Sequence, residues 1–140
     1  MPDTIERKVF VSHGKPDAWL ARQLAKEIQI RGATTFLDES DVAKGADFKS
    51  IIRQQVAACN ELVAIFTPWS AQRFWVWAEV GAAWGQGKPV IAILYGLTVK
   101  DLEAIGESKA MFEDINILEV NDTDQYLKEL ELRVKGVGNV

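Results

Sequence analysis

Short apolar stretches alternate with longer amphipathic segments along this chain. Stretches rich in β-branched and aromatic residues predict β-strands, at residues 8–12, 34–37, 62–66, 90–95 and, more weakly, 115–118. The third stretch, from Leu62 to Phe66, is apolar throughout. A continuous apolar run of this kind is typical of a central strand in a parallel sheet that is covered on both faces.

Between the strands, apolar residues recur at the spacing of an α-helix. The predicted helices span residues 17–31, 48–58, 74–86 and about 122–134, while residues 96–114 are expected to be irregular with at most one short helix. Asp17 is the expected N-cap of the first helix, and Asp122 or Thr123 that of the last. Gly32 is expected to end the first helix.

Strands that alternate with helices predict an α/β fold with a parallel sheet and helices on both faces. Because crossover connections between parallel strands are right-handed, the expected fold is doubly wound. Five strands in 140 residues favour the flavodoxin-like order 2-1-3-4-5. We expect one domain over residues 1–140, with its core at about 8–134, and the sequence shows no repeats or low-complexity linkers.

Composition narrows the classes of function. The formal net charge is −4 and the basic residues are scattered, which argues against a nucleic-acid partner. The chain has one cysteine and one histidine, so we expect no disulfide and no metal site of the Cys-rich or His-rich type. No apolar run approaches the roughly 20 residues that cross a bilayer, and the first residues lack a signal-peptide core. We therefore expect a cytoplasmic protein without a membrane partner.

In a doubly wound sheet, ligands bind beyond the carboxyl ends of the strands. The segments expected there are residues 12–15, 38–45, 67–77 and 95–96, and Glu79 lies about one turn into the third helix. The glycine-rich phosphate-binding motifs and the G-x-S-x-G nucleophile elbow are absent from the sequence. The acidic residues that a response regulator needs are absent too, because Ser12-His13 and Thr67-Pro68 follow the first and third strands.

Three blocks occur in a recognisable order: Val9-Phe10-Val11-Ser12-His13 ending the first strand, the loop from Asp38 to Gly45, and Trp75-x-x-x-Glu79 on the third helix. Together they resemble the Toll/interleukin-1 receptor (TIR) domain family, in its bacterial branch. The resemblance covers about residues 8–134. Some members of that family are interaction modules that assemble with other TIR domains. Others cleave the nicotinamide–ribose bond of NAD+, and some of those make cyclic ADP-ribose isomers.

The resemblance implies an NAD+ glycohydrolase in which Glu79 is the catalytic residue and NAD+ is the substrate, with no further cofactor. Ser12, His13, Lys15, Asp38, Ala43 and Gly45 are then expected to line the nucleotide cleft, and Lys15 to pair with a phosphate. Trp75 lies one turn before Glu79 on the same helix face. Trp75 and Trp77 are expected to stack on a base, although a partner interface stays open for Trp77. Self-association and a role in antiviral defence are further expectations.

The chemistry suits a single carboxylate. The nicotinamide group of NAD+ is a cationic pyridinium, and it becomes neutral when its bond to ribose breaks. Its departure therefore needs no general acid, whereas ordinary glycosidases use two carboxylates. The apolar neighbours of Glu79, among them Val80 and Ala83, predict a largely buried helix, where an unpaired carboxylate is costly. Trp84 is expected in the core, and Cys59 is expected to be buried and inert.

Two alternatives stay open at this point. The first is a non-catalytic adaptor, which would bind another TIR domain and would be indifferent to the loss of Glu79. The second is an enzyme similar to the nucleoside deoxyribosyltransferases, whose fold and glutamate chemistry are similar. Release of a free base from a deoxynucleoside, with none from NAD+, would favour this second alternative.

Overall fold

The computed structural model describes residues 6–37, 48–105 and 109–136. Its sheet has five strands, all parallel, in the order β2-β1-β3-β4-β5. The strands are β1 (Lys8–Ser12), β2 (Thr34–Leu37), β3 (Glu61–Phe66), β4 (Val90–Leu94) and β5 (Asn116–Glu119). The predicted flavodoxin-like α/β fold and its strand order are therefore confirmed.

Helices follow each strand and cover both faces of the sheet. They are α1 (Ala18–Ile30), α2 (Phe48–Ala57), α3 (Phe74–Gly85), α4 (Val99–Ile105), α5 (Lys109–Asp114) and α6 (Thr123–Val134). The prediction of at most one short helix between residues 96 and 114 was wrong, because both α4 and α5 form there. Thr98 and Asp101 cap α4 reciprocally, each side chain accepting a bond from the other's backbone N–H, at 2.9 and 3.1 Å.

Alternation along the strands divides the core into two layers. Phe10, Leu62, Ala64 and Phe66 face α2 and α3, whereas Val9, Val11, Val63 and Ile65 face α1 and α6. The inner faces of both layers are apolar and buried. Because β1 and β3 are covered on both sides, functional groups at this part of the sheet are accessible only from the ends of the strands.

The ends of α1 illustrate how local signals and tertiary contacts compete. Gly32 has a φ of +100°, and its N–H bonds to the Gln29 carbonyl at 3.0 Å, so it ends the helix as predicted. Asp17 does occupy the N-cap position, but its carboxylate makes no capping bond. That carboxylate instead accepts a 2.8 Å hydrogen bond from Thr67 Oγ1. The prediction that Asp17 caps the helix with its side chain was wrong, because Thr67, directly after β3, takes the carboxylate.

A buried ionic cluster lies at the opposite, amino end of the sheet. Glu61 is fully buried, and its carboxylate accepts hydrogen bonds from Arg7, Tyr126 and Arg133 at 2.6–3.0 Å. Burial opposes ionisation of Glu61, but the bonds from Arg133, Tyr126 and Arg7 outweigh burial and lower its pKa. The cluster joins the start of β1, the start of β3 and the end of α6.

Candidate active site

The candidate site lies at the carboxyl end of the sheet, where β1 and β3 are neighbours. The chain proceeds from β1 outwards to β2 and then crosses back to β3, so the strand order reverses between β1 and β3. A reversal of this kind leaves a crevice outside the carboxyl ends of the two strands. Ser12 ends β1, and Thr67 directly follows β3.

Glu79 reaches this crevice from α3. Its side chain is only 1% exposed, although it carries a carboxylate. Its Oε1 accepts a 2.5 Å hydrogen bond from Ser12 Oγ, and Ser12 is itself buried. A short bond of this kind between a hydroxyl and a carboxylate fixes the direction of both side chains. Two residues that the sequence predicts for the site, 67 positions apart, are thus in direct contact.

The rim of the site consists of segments 12–15 and 67–73, at the carboxyl ends of β1 and β3. His13 and Lys15 belong to the first of these segments. His13 is buried, and its Nδ1 donates to the Val11 carbonyl oxygen at 3.1 Å, which orients the ring. Lys15 is exposed in a short turn of helix, Lys15–Asp17. Lys15 is therefore accessible to a ligand, and His13 belongs to the buried wall behind Ser12.

Trp69 covers Gly14 closely. A Cβ added to Gly14 would lie 2.4 Å from Trp69 Cζ3, so only glycine leaves room for the indole. Hydrogen bonds of the preceding turn hold this arrangement: Ser70 Oγ donates to the Ile65 carbonyl at 3.0 Å and accepts from the Thr67 N–H at 2.9 Å. Thr67 Oγ1 is in turn bonded to Asp17. The turn after β3 is therefore fixed to both β3 and the start of α1.

The guanidinium of Arg73 stacks on the same indole, with its Cζ 4.1 Å from the centre of the Trp69 ring. Arg73 directly precedes α3 and is exposed. Trp69 and Arg73 both fall within the segment 67–77 that is expected at the site, but the sequence indicated no role for either. An aromatic residue and an arginine four positions apart in that loop were the only available signal, and it gave no indication of contact with Gly14.

The tryptophans of α3 have three different environments. Trp75 is half-buried against the core, with its ring 6.4 Å from that of Phe74. Trp77 packs between Phe66 and Phe112, at 4.7 and 5.8 Å between ring centres. Its indole N–H also donates to the Ala71 carbonyl at 2.8 Å. These contacts give Trp77 a packing role beneath the site.

The prediction that Trp84 lies in the core was wrong, because 38% of its surface is exposed. It follows Trp77 by two helical turns and so occupies the same side of α3. At that end of the helix, the indole N–H of Trp84 donates a hydrogen bond to the carboxylate of Asp114 at 2.8 Å. Cys59 is buried as predicted, and burial raises the pKa of its thiol.

Asp38, Ala43 and Gly45, which the sequence predicts for the nucleotide cleft, lie outside the described residues. Within residues 6–37, 48–105 and 109–136, no group of three or more potential ligands could hold a metal ion. The helices in those ranges are also too short or too polar to span a membrane.

A cavity of about 340 Å³ lies on the other side of the sheet, between α1 and the start of α6. Its walls include Leu20, Leu24, Ile65 and Ile93. These side chains belong to the layer that faces α1, whereas α3 and Glu79 lie on the opposite face. The cavity is therefore separate from the candidate site.

Comparison with known sequences identifies a family. The family model described as TIR domain matches residues 9–130, which is most of the chain. That range includes Ser12, Glu79 and every residue of the sheet except Lys8. A comparison with curated proteins gives no significant match.

Solved structures with this fold come from proteins of different kinds. The TIR domains of the activated Roq1 resistosome, which recognises the effector XopQ, match with a TM-score of 0.57 and 18% identity, over 96% of this chain and 86% of theirs. A diflavin flavoprotein A3 from Nostoc sp. matches at 0.52 and 16%, over 96% and 92%. The CMP N-glycosidase BcmB of Clostridium botulinum matches at 0.51 and 16%, over 90% and 99%. At these identities the likeness concerns the fold alone.

Proposed function

Because the chain belongs to the TIR domain family, we propose that it cleaves the bond between nicotinamide and ribose in NAD+ and that Glu79 is the catalytic residue. The products are nicotinamide and either ADP-ribose or a cyclic isomer of it. NAD+ is the substrate in this reaction, and no other cofactor takes part.

One observation carries the proposal: a buried carboxylate is oriented by a hydroxyl at the point where the strand order reverses. Glu79 is 1% exposed and bonds to Ser12 at the end of β1. Burying an ionisable group costs free energy, and groups of this kind cluster at functional sites. The position of Glu79 beside the crevice between β1 and β3 supports a function in ligand chemistry.

The proposed chemistry requires stabilisation of positive charge. The bond between ribose C1′ and the pyridinium nitrogen breaks, its electron pair goes to the nitrogen, and neutral nicotinamide leaves. The ribose then carries oxocarbenium character, which a nearby carboxylate stabilises electrostatically. Water adds to C1′ and releases a proton, which gives ADP-ribose. A nucleophilic atom elsewhere in the ADP-ribose portion, adding in place of water, gives a cyclic isomer.

Self-association is part of the proposal. One of the structures with this fold is that of TIR domains in an activated resistosome. On the present chain, Phe74 is 67% exposed at the start of α3, close in sequence to Trp75 and Glu79. This side chain supplies apolar area on the helix that carries Glu79, which a second molecule could cover. We propose that a second copy of the chain binds near the site and increases its activity.

The direct test is nicotinamide release from NAD+ by wild type, Glu79→Gln and Glu103→Gln at high protein concentration. Glu79→Gln preserves the shape of the side chain and removes its charge. We expect nicotinamide release by Glu79→Gln to fall by at least about 100-fold, the scale of losing one electrostatic contact to a transition state. Glu103 is exposed on α4, so Glu103→Gln is the matched control and should retain wild-type activity.

The outcomes separate the proposed enzyme from its alternatives. Equal release by wild type and Glu79→Gln would exclude Glu79 as the catalytic residue. An absence of release from all three proteins would favour an interaction module. The fold likeness to a CMP N-glycosidase makes one further panel useful: release of a free base from CMP or deoxynucleosides, but not from NAD+, would assign the same carboxylate to a different N-glycosidic bond.

A further inference from the structure

We propose that Arg73, held in place by Trp69, binds the pyrophosphate of the dinucleotide and so makes the site selective for NAD+ over substrates without phosphates. The inference rests on the proposed function, because it names the residue that recognises the anionic part of the same substrate. It is supported by the contacts that the described residues make with one another at the rim.

The first step is the position of the guanidinium. Trp69 covers Gly14, and Gly14 follows Ser12 by two residues. Ser12 holds Glu79 through its 2.5 Å hydrogen bond. Because the guanidinium of Arg73 stacks on Trp69, it lies on the same rim as the catalytic carboxylate. In NAD+ the pyrophosphate is attached to the 5′ carbon of the nicotinamide ribose, so a site that acts on C1′ requires the phosphates nearby.

The second step is the availability of the guanidinium for a ligand. Arg73 is exposed, and none of the ion pairs among the described residues involves it. Stacking uses the face of the guanidinium and leaves its N–H groups at the edge free to donate. Those donors match two phosphate oxygens in a bidentate arrangement. By contrast, Arg7 and Arg133 are occupied by the buried carboxylate of Glu61.

The third step is the rigidity of the support. Trp69 lies in a turn that the hydrogen bonds of Thr67 and Ser70 fix to β3 and α1. Pro68 restricts the same turn, because its ring fixes its own φ, and it lies against Gly96, where an added Cβ would be 3.3 Å from Pro68 Cδ. A cation held on a fixed platform loses less conformational entropy on binding than an unrestrained one. Arg73 therefore provides the pre-positioned positive charge of the rim, and exposed Lys15 provides a second, less restrained one.

The test compares NAD+ with nicotinamide riboside, which contains the same scissile bond and no phosphate. For Arg73→Gln we expect the KM for NAD+ to rise by about tenfold or more, the scale of one charge-assisted contact, with the KM for the riboside unchanged. Arg73→Lys should recover part of the loss, because the charge is kept and the bidentate geometry is lost. Trp69→Leu should raise the KM for NAD+ while Arg73 is still present.

Arg53→Gln is the matched control, since Arg53 is exposed on α2 and belongs to neither the rim nor an ion pair of the described residues. Its KM values should equal those of wild type. Thermal unfolding of each variant identifies any general loss of structure. An unchanged KM for NAD+ in Arg73→Gln, or an equal rise for NAD+ and the riboside, would overturn the inference.

A binding measurement separates this inference from the proposed function. ADP contains the pyrophosphate without nicotinamide, so its affinity can be measured by calorimetry whether or not the chain is an enzyme. Weaker ADP binding by Arg73→Gln, together with no cleavage of NAD+ by wild type, would support the anion site and contradict the proposed function. The opposite result is cleavage of NAD+ by wild type together with no ADP binding, or with equal ADP affinity in wild type and Arg73→Gln. That result would support the proposed function and contradict the anion site.

Discussion

Two buried glutamates of this chain lie at opposite ends of the sheet. Glu61 is bonded to two guanidinium groups and a phenol, so its charge is compensated within the fold. Glu79 accepts a hydrogen bond from the hydroxyl of Ser12, which orients one of its carboxylate oxygens. Burial alone does not distinguish the two residues. Their positions do: Glu61 begins β3 at the amino end of the sheet, whereas Glu79 contacts Ser12 at the carboxyl end, where folds of this type bind ligands.

Ser12 is therefore expected to act on the reaction through Glu79. In Ser12→Ala the carboxylate loses a short, buried hydrogen bond and its fixed direction. A bond to a charged group contributes about 1.5–3 kcal/mol. If the transition state needs the oriented carboxylate, this loss corresponds to a fall of about 10- to 100-fold in kcat for nicotinamide release.

A double-mutant cycle provides the control for Ser12. If Ser12 acts by positioning Glu79, Ser12→Ala should cost little further activity in a protein that already carries Glu79→Gln. Additive losses in the two variants would show that Ser12 contributes independently of Glu79. Thermal unfolding of Ser12→Ala separates the loss of kcat from a loss of folded protein.

At the scale of elements, local patterns were sufficient for the sheet and insufficient for segments with few apolar residues. Predicted strands 8–12 and 34–37 agree with β1 and β2 because their β-branched and aromatic runs are continuous. Helices α4 and α5 were underestimated because each is only one to two turns long. Such helices depend on a cap and a few buried side chains, among them Leu102 and Met111.

The candidate site was predictable to the extent that it follows from strand ends and a family pattern. Ser12 and Glu79 were both predicted for the site, and the structure brings them into contact. The contact of Trp69 with Gly14 and the cluster around Glu61 join residues more than 50 positions apart. No local pattern encodes contacts at that separation. They depend on which elements the fold makes neighbours.

The Glu61 cluster leads to a prediction about elements, because it ties β1, β3 and α6 together. Glu61→Gln leaves two arginines without their carboxylate and should lower the free energy of unfolding by about 3 kcal/mol at neutral pH. The pKa of Glu61 is lowered from its ordinary value of 4.5. Its contribution is therefore complete above about pH 4.5 and is lost as the pH falls through the lower, folded-state value.

Chemical denaturation between pH 3 and pH 7 checks this prediction. The difference between wild type and Glu61→Gln should be constant from about pH 6 to 7 and should shrink as the pH falls below about 4. Glu103→Gln, on an exposed position of α4, should follow wild type at every pH. A wild-type advantage that is independent of pH would mean that packing around Glu61, and not its charge, stabilises the cluster.

At the scale of the whole molecule, the fold buries its core in two layers and still exposes several large apolar side chains. Phe74 begins α3, the helix that carries Glu79, whereas Trp19 and Ile30 lie on α1, on the other side of the sheet. Covering such side chains with another protein removes apolar area from water, which favours association. For a TIR domain that we propose to be active in assemblies, they supply apolar area that a second copy could cover.

Assembly of this kind predicts that the specific activity of nicotinamide release rises with protein concentration. The sharper form of the prediction uses the inactive variant as a helper. Wild type is diluted until its specific activity is low, and an excess of Glu79→Gln is added. Because Glu79→Gln keeps every surface that could contact a neighbour, it should restore the activity of the dilute wild type. The control adds an equal mass of an unrelated protein, which tests for simple crowding. Specific activity that stays constant on dilution and is unaffected by Glu79→Gln would show that each copy works alone. Restoration of activity by Glu79→Gln, but not by the unrelated protein, would show that a neighbouring copy increases the activity of the wild-type site. That neighbour would do so without supplying the catalytic carboxylate.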